Sequence, residues 1–462
     1  MSEGTGAGAG RATVRGLLFG RRVWIAPMLI GSIFIALVAT IYIGSVIDPT
    51  GHLHGLPVMV VDEDAGAQAN GQELNVGASV VRALEQSSSV TSRLKLRVAS
   101  AAVADREMNS AHAYATLVIP RTLSRSVLLA SSGGKGAAGA PARGAITLEE
   151  NQRLGSLGVN LAAGVIKPAA ESASASVGKQ LAPLVGPETR SNPVLAAQAA
   201  DPIALKVVTY RPLPDHTALG LSAFYIALLA ILAGFIAATL INTSLDSALG
   251  YSSSEMGPRW TLRRPTAIRR RTTFLAKWAA AAIVVPVLTA ILLLIAIGAL
   301  GMHGPHTLLL WLLCTLAAMM IATATRALLA ALGSIGQLLA MLLLIYLSLA
   351  SSGGTVPTQA LPGVFDLAGK VEPLRQVLGG TRAILYFGAA GDAGLTHAVL
   401  VLICELVFWA AVGLLVTSWY DRRKMDRIAP EVLEIVNRAI DRGVAEGRGG
   451  GAVSEPGAGT AG

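Results

Sequence analysis

Six long stretches of this 462-residue chain are almost free of charge. Each is long enough to cross a hydrocarbon core about 30 Å thick, which takes roughly 20 helical residues. They run over 23–47, 218–241, 278–300, 307–325, 327–350 and 396–417, and only the last holds an acid, Glu405. The fourth and fifth are parted by Arg326 alone, which predicts a tight hairpin or one long broken helix. Charged residues make up 14% of the chain, against about 25% in a soluble domain. The deficit is concentrated in these six runs, so lipid is their solvent. Disorder, a collagen-like fibre and a disulfide scaffold are excluded. The two cysteines, Cys314 and Cys404, lie inside apolar runs and read as packing residues.

The distribution of Lys and Arg sets the expected orientation. With the N-terminus inside, 19 basic residues fall on the inner side and none in the short outer loop 301–306. Three fall in 351–395, and 15 in the long segment 48–217, against its 14 acids. A long segment translocates largely regardless of charge. The prediction is N-in and C-in, with one large outer domain after the first helix. The first run is too long for the 7–15-residue core of a signal peptide, and Ser45, Val46 and Ile47 make a poor cleavage site, so a retained anchor is expected. The net charge of +9 is a topology signal, because aromatic residues are only 5% and no basic stretch interleaves with stacking side chains. No nucleic-acid partner is expected.

The expected fold is an α-helical polytopic membrane protein: six transmembrane helices with an extracytoplasmic α/β domain inserted between helices 1 and 2. Its parts are a cytoplasmic N-terminus with an interfacial helix (1–22), helix 1 (23–47), the α/β domain (48–217), helices 2–6 (218–419), and a cytoplasmic amphipathic helix with a disordered tail (420–462). Inside the α/β domain, strand patterns fall at 56–61, 94–98, 114–119 and 145–148. Helical spacing covers 75–86, 101–113, a short piece after Pro120, and 154–184, while 131–144 is a Gly/Ala linker. Residues 11–24 place Leu17, Leu18 and Phe19 among four arginines, which suits a helix in the headgroup layer. After the last span, Ile428, Val432, Ile435, Val436, Ala439 and Ile440 form a helical stripe.

Few residues suggest chemistry. There is no phosphate-cradling loop of P-loop spacing, no HExxH, no CxxC pair and no G-x-S-x-G elbow. Neither enzymatic activity nor a cofactor is expected, and an ATP-driven process would need a separate ATPase chain. An intramembrane acid is a functional candidate by default, because a lone charge there costs about 3 kcal/mol or more. Glu405 is therefore the substrate-path candidate; a plain hydrogen bond to a Ser, Thr or Gln337 on a neighbouring helix is the equal alternative. The basic loop 259–277 anchors to anionic lipid at roughly 1 kcal/mol per residue, and its Arg263, Arg264, Arg269, Arg270 and Arg271 are the candidates for docking a cytoplasmic partner. Gly353, Gly354 and Pro357 forbid a simple helical continuation after the fifth span and are the gate or hinge candidates, an interfacial loop being the alternative. His52 and His54 lack companions spaced to complete a metal site, so no metal is expected. Asp62, Glu63 and Asp64 read as a turn of solvated acids rather than calcium ligands.

Several of these segments together resemble one family. Residues 58–64 (VMVVDED), Leu74-Asn75-Val76-Gly77, and 114–120 (YATLVIP) with Leu123 and Ser124 are similar to the outer domain of the YhgE/Pip (phage-infection protein) family, as are Glu150 and Asn151. Asp62 stands where that family usually has Asn, and Leu123 where it has Phe. Ser352 to Pro357, Leu361-Pro362 and Gly380-Thr381-Arg382 resemble its membrane half and the wider ABC-2-type permeases. Tyr210 to Pro214 resembles the SNG-type nitrosoguanidine-resistance membrane proteins. The resemblance implies a permease subunit that exports a lipid, drug or cell-envelope component, and the Ala, Gly and Arg bias points to a GC-rich bacterium, whose plasma membrane is then the expected location. It implies work as a homodimer or hetero-oligomer with a separate cytoplasmic ATPase. A cell-envelope scaffold, receptor or secretion-machine component, binding a partner through its outer domain, is the alternative.

Overall fold

The computed structural model describes residues 21–69, 72–131, 143–185, 187–256, 259–261, 263–425, 427–428, 431, 433–438 and 441. Six helices are long and apolar enough to cross a membrane, and an α/β domain sits between the first two. The chain is a polytopic helical membrane protein. The expected headgroup helix at 11–24 falls largely outside the described residues, as does most of the linker 131–144. Of the tail stripe, 433–438 is helical.

The sheet is built from β1 (Leu56–Asp62), β4 (Leu94–Val98), β5 (Ala115–Ile119), β6 (Gly144–Glu150) and β7 (Ile203–Thr209), in the order β4-β1-β5-β6-β7. Short strands β2 (Ala67–Ala69) and β3 (Gln72–Leu74) form a hairpin beside it. β1 runs parallel to β4 and β5, β5 antiparallel to β6, and β6 parallel to β7. β1 is buried along most of its length because both faces are covered, which is why it reads as a continuous apolar run. Along the chain, α1 (Arg21–Val46) is the first span. The domain contributes α2 (Val76–Gln86), α3 (Ala101–Asn109), α4 (Leu123–Ser131) and α5 (Ser156–Leu181). Asn75 caps α2 by accepting the Ala78 amide at 2.7 Å. Met59, Val61, Met108 and Ala113 fill one face of the sheet, and Val159, Ala162 and Ile166 belong to the larger core on the other.

The remaining spans are α6 (Ser222–Ala248), α7 (Arg270–Leu293, prolonged to Ala299), α8 (Thr307–Leu332), the run Ser334–Ser351 that opens with α9 (Ser334–Met341), and α12 (Thr396–Arg422). Between the last two lie α10 (Gly363–Gly369) and α11 (Pro373–Tyr386). α8 is the central helix, fully burying Ala317, Ala318, Ala322 and Ala324. Small side chains let helices approach closely in lipid. A Cβ on Gly234 of α6 would come within 2.4 Å of the Ala318 carbonyl oxygen. The outward-facing apolar residues, including Ile283, Leu294, Leu308 and Leu415, meet the bilayer.

Three expectations are corrected. The break between the fourth and fifth spans falls at Gly333, whose φ of +64° ends α8. Arg326 lies inside that helix, 2% exposed, and belongs to no loop. The sheet has five strands where the sequence suggested four, because β7 joins from a segment to which no strand was assigned. α11 is a second addition, a heavily buried helix of 14 residues in the stretch 351–395, where no helix was expected.

Candidate functional site

The acidic turn after β1 is structural. Asp64 accepts the Gly77 amide at 2.9 Å and the Ser124 amide at 3.0 Å, and the Ser124 hydroxyl bonds to it as well. The same hydroxyl accepts the Val76 amide at 2.8 Å. A Cβ on Gly77 would collide with Asp62 and Asp64. Three segments distant in sequence thus converge on one carboxylate that is committed to N–H and O–H donors. Asp62 accepts the Asp64 amide at 3.0 Å, and partial burial raises its carboxyl above the usual range. His52 and His54 each hold a nearby backbone carbonyl, at 2.9 and 2.7 Å.

At the end of the bundle remote from the sheet, a cavity of about 700 Å³ opens between α6, α7, α8 and α12. Its chemistry comes from residues that lie at or beyond the sequence-predicted span ends. Asp246 stands on the last turn of α6 and Lys277 two turns into α7. Lys277 Nζ donates to Asp246 Oδ1 at 2.7 Å and to Asn242 Oδ1 at 2.6 Å. Arg427 pairs with the other Asp246 oxygen at 2.7 Å. Arg326 projects from α8 and donates Nη1 to the Lys277 carbonyl at 2.8 Å, while its Nε and Nη2 are buried without partners. Arg270 also lines the space. Asp246 is the only acid among the described lining residues, and it answers Lys277 and Arg427. A guanidinium with two buried, unbonded N–H groups is costly for a fold and suits an arriving anion. Sequence reasoning missed this group because a charge within an apolar run reads as the end of a span.

Of the five docking candidates, Arg270 lines this cavity, and the five differ in how far they are engaged. Asp421 at the end of α12 accepts the Arg270 and Arg271 amides at 2.8 and 3.0 Å, which caps α7. The Arg270 guanidinium lies 5.0 Å from the Tyr420 ring centre, and its Nε donates to the Met425 carbonyl. Arg264 pairs with Asp441. Arg263, Arg269 and Arg271 present exposed side chains. The capping ties the basic loop mechanically to the last span.

The hinge candidates lie at the sheet side. Gly353 adopts φ +73°, and a Cβ on Gly354 would enter the Phe224 ring of α6 at 2.1 Å. Pro357 is buried and leads into a short turn. These residues therefore close a packed turn against α6. Glu405 is half-buried on α12 and has no hydrogen-bond partner among the described residues, so the expected bond to Gln337 or a hydroxyl is not made. It lies within electrostatic reach of Glu372, an acid outside the sequence-predicted spans. Glu372 precedes α11, accepts the Ser348 hydroxyl at 2.6 Å, and is pushed up to about 7 by burial. The sequence carried a signal for it: Glu372-Pro373 opening a helically spaced apolar pattern is a helix start.

Fold and cavities define a polytopic membrane protein whose soluble domain and helical bundle share one continuous core. The chain belongs to the DUF3533 family (protein of unknown function), which it matches over residues 27–422. That match does not extend to the YhgE/Pip assignment. Among solved structures it is similar to a domain assigned to an ABC type-2 transporter of Thermotoga maritima MSB8. The identity is 23%, covering 33% of this chain and 85% of that one, with a TM-score of 0.22, too low to define a shared fold. No curated protein matches the chain.

Proposed function

We propose that this chain is the permease subunit of an ABC-2-like exporter for a lipid, drug or cell-envelope component. In this reading it lies N-in and C-in in a bacterial plasma membrane, works as a dimer or hetero-oligomer, and is energised by a separate cytoplasmic ATPase. One observation carries the proposal: the cavity around Arg326 holds unpaired donors within the membrane-embedded bundle, and fixed unpaired charge there marks a substrate path. The Asp421 cap supplies the coupling, since a push on the basic loop moves α7 and α12 together. The turn at Gly353, Gly354 and Pro357 then forms the opposite gate, with Glu405 and Glu372 beside it. The finer likeness to YhgE/Pip is supported by the convergence of its three motif segments on Asp64.

A second reading, an envelope scaffold or receptor, is favoured by β7. It is an open sheet edge with Val207 and Val208 each more than two-fifths exposed, the kind of edge on which a partner strand adds. Purification of the full chain from its native membranes in mild detergent separates the two. The permease reading expects ATP hydrolysis to travel with the chain and to be lost when Arg263, Arg269 and Arg271 are changed to Glu. A chain free of ATPase, with an envelope phenotype indifferent to those changes, contradicts it.

A further inference from the structure

A second cavity, of about 570 Å³, lies at the other end of the bundle, in the seam between the sheet domain and the membrane helices. Its cationic walls are Lys370, Arg375 and Arg382, with His112 and His397 beside them. No carboxylate is among its described lining residues. Arg375 is answered by Asp366 at 3.1 Å, and His112 turns to Glu107, which also holds Arg97. Arg382 has no such answer. Its Nη2 reaches the Gly353 and Gly354 carbonyls only at 3.5 and 3.4 Å, the far limit of a hydrogen bond, and its Nε is buried without a partner. The Gln359 side-chain oxygen in the same wall is also buried and unpartnered. The site thus offers a guanidinium fork and an ammonium at its rim, which recognise a phosphate or carboxylate, and one neutral acceptor suited to a hydroxyl or amine beside that anion.

The surroundings indicate how the anion is presented. α10 leads directly into Lys370, and Val364, Leu367 and Val371 stand 76%, 66% and 72% exposed along this segment. An apolar surface this open beside a cationic mouth matches an amphiphile, with its chains along α10 and its head in the cavity. The volume is ample for a headgroup.

We propose that this seam cavity binds the anionic headgroup of a membrane amphiphile, with Arg382 as its central ligand and Lys370 at its rim. The inference needs the membrane placement of the six spans and does not need the export reading, so either can fail without the other.

The test is thermal unfolding of the full chain in a neutral detergent. It is titrated separately with a short-chain phosphatidylglycerol, the matching phosphatidylcholine, and inorganic phosphate at fixed ionic strength. The expected result is a saturable rise in melting temperature with phosphatidylglycerol alone. Its apparent affinity falls at least about tenfold in Arg382→Gln, as expected for loss of a bidentate charged contact. It recovers in part in Arg382→Lys and persists in Arg82→Gln, an exposed arginine on α2 that lines neither cavity. An equal, Arg382-dependent response to inorganic phosphate keeps the anion site and overturns the amphiphile. An equal response to phosphatidylcholine, or unchanged affinity in Arg382→Gln, overturns the site. Should Arg382→Gln not fold, Lys370→Gln replaces it: a fall of about threefold, consistent with one rim charge, supports the site, and unchanged affinity overturns it.

Discussion

Two buried arginines, at opposite ends of the bundle, are treated in opposite ways. At the seam with the sheet domain, Arg153 is fully engaged. It bonds the Asn151 oxygen, the Met108 and Tyr386 carbonyls and the Asn109 side chain, and stacks 4.4 Å from the Phe387 ring centre. Asn151 in turn holds the Met108 and Ala113 carbonyls. In the remote cavity Arg326 makes one bond and leaves two donors unmet. An arginine cannot shed its proton to escape burial, so its partners reveal its task. The first stitches the domain to α11; the second is held ready for something that is not part of the chain.

That contrast is open to direct attack. Arg153→Ala strands several buried acceptors, and we expect a loss of about 3–4 kcal/mol, read as a clear drop in melting temperature with early proteolysis of the sheet domain. A loss under about 1 kcal/mol would erase the distinction. Glu372 sharpens it from another side, because a carboxyl can neutralise where a guanidinium cannot. Its folded pKa of about 7 lies above the ordinary value of 4.5. The stability it permits is therefore full below about pH 4.5 and is lost as pH rises through 7. Glu372→Gln is expected to match the parent at pH 4 and to exceed it by about 2–3 kcal/mol at pH 8; parallel stability curves would refute this. Arg326→Met replaces an under-bonded cation by an apolar chain of similar length. Unchanged or slightly raised stability, by about 1 kcal/mol, is expected, together with loss of any substrate transport. Arg264→Ala removes a pair whose side chains are each more than three-fifths exposed and should change stability by less than about 0.5 kcal/mol.

The comparison also explains what a reader of the sequence sees and misses. Spans were legible because lipid demands long uncharged runs, and strands β1, β4 and β5 because their apolar patterns are local. The Asn75 cap and the Asp64 segments were visible as motifs, but not the single carboxylate that joins them. β7 escaped because it pairs with β6 only after the long excursion through α5. α11 escaped because 14 residues are too few for a span, and its burial depends on neighbours supplied by α6, α8 and α12. Arg326 and Lys277 were misplaced for one physical reason. Hydropathy treats a charge as the edge of the membrane, whereas a charge that lines a cavity can lie inside a helix.

The central claim is that the stitched seam and the open Arg326 cavity face opposite sides of one membrane. Cysteine labelling tests it most directly, using a membrane-impermeant maleimide on whole cells that carry the chain with Cys314→Ala and Cys404→Ala. The account predicts that Ser88→Cys, exposed on the sheet domain, reacts in intact cells, whereas Arg264→Cys, exposed on the basic loop, reacts only after lysis. Labelling of both in intact cells, or of Arg264→Cys alone, contradicts it.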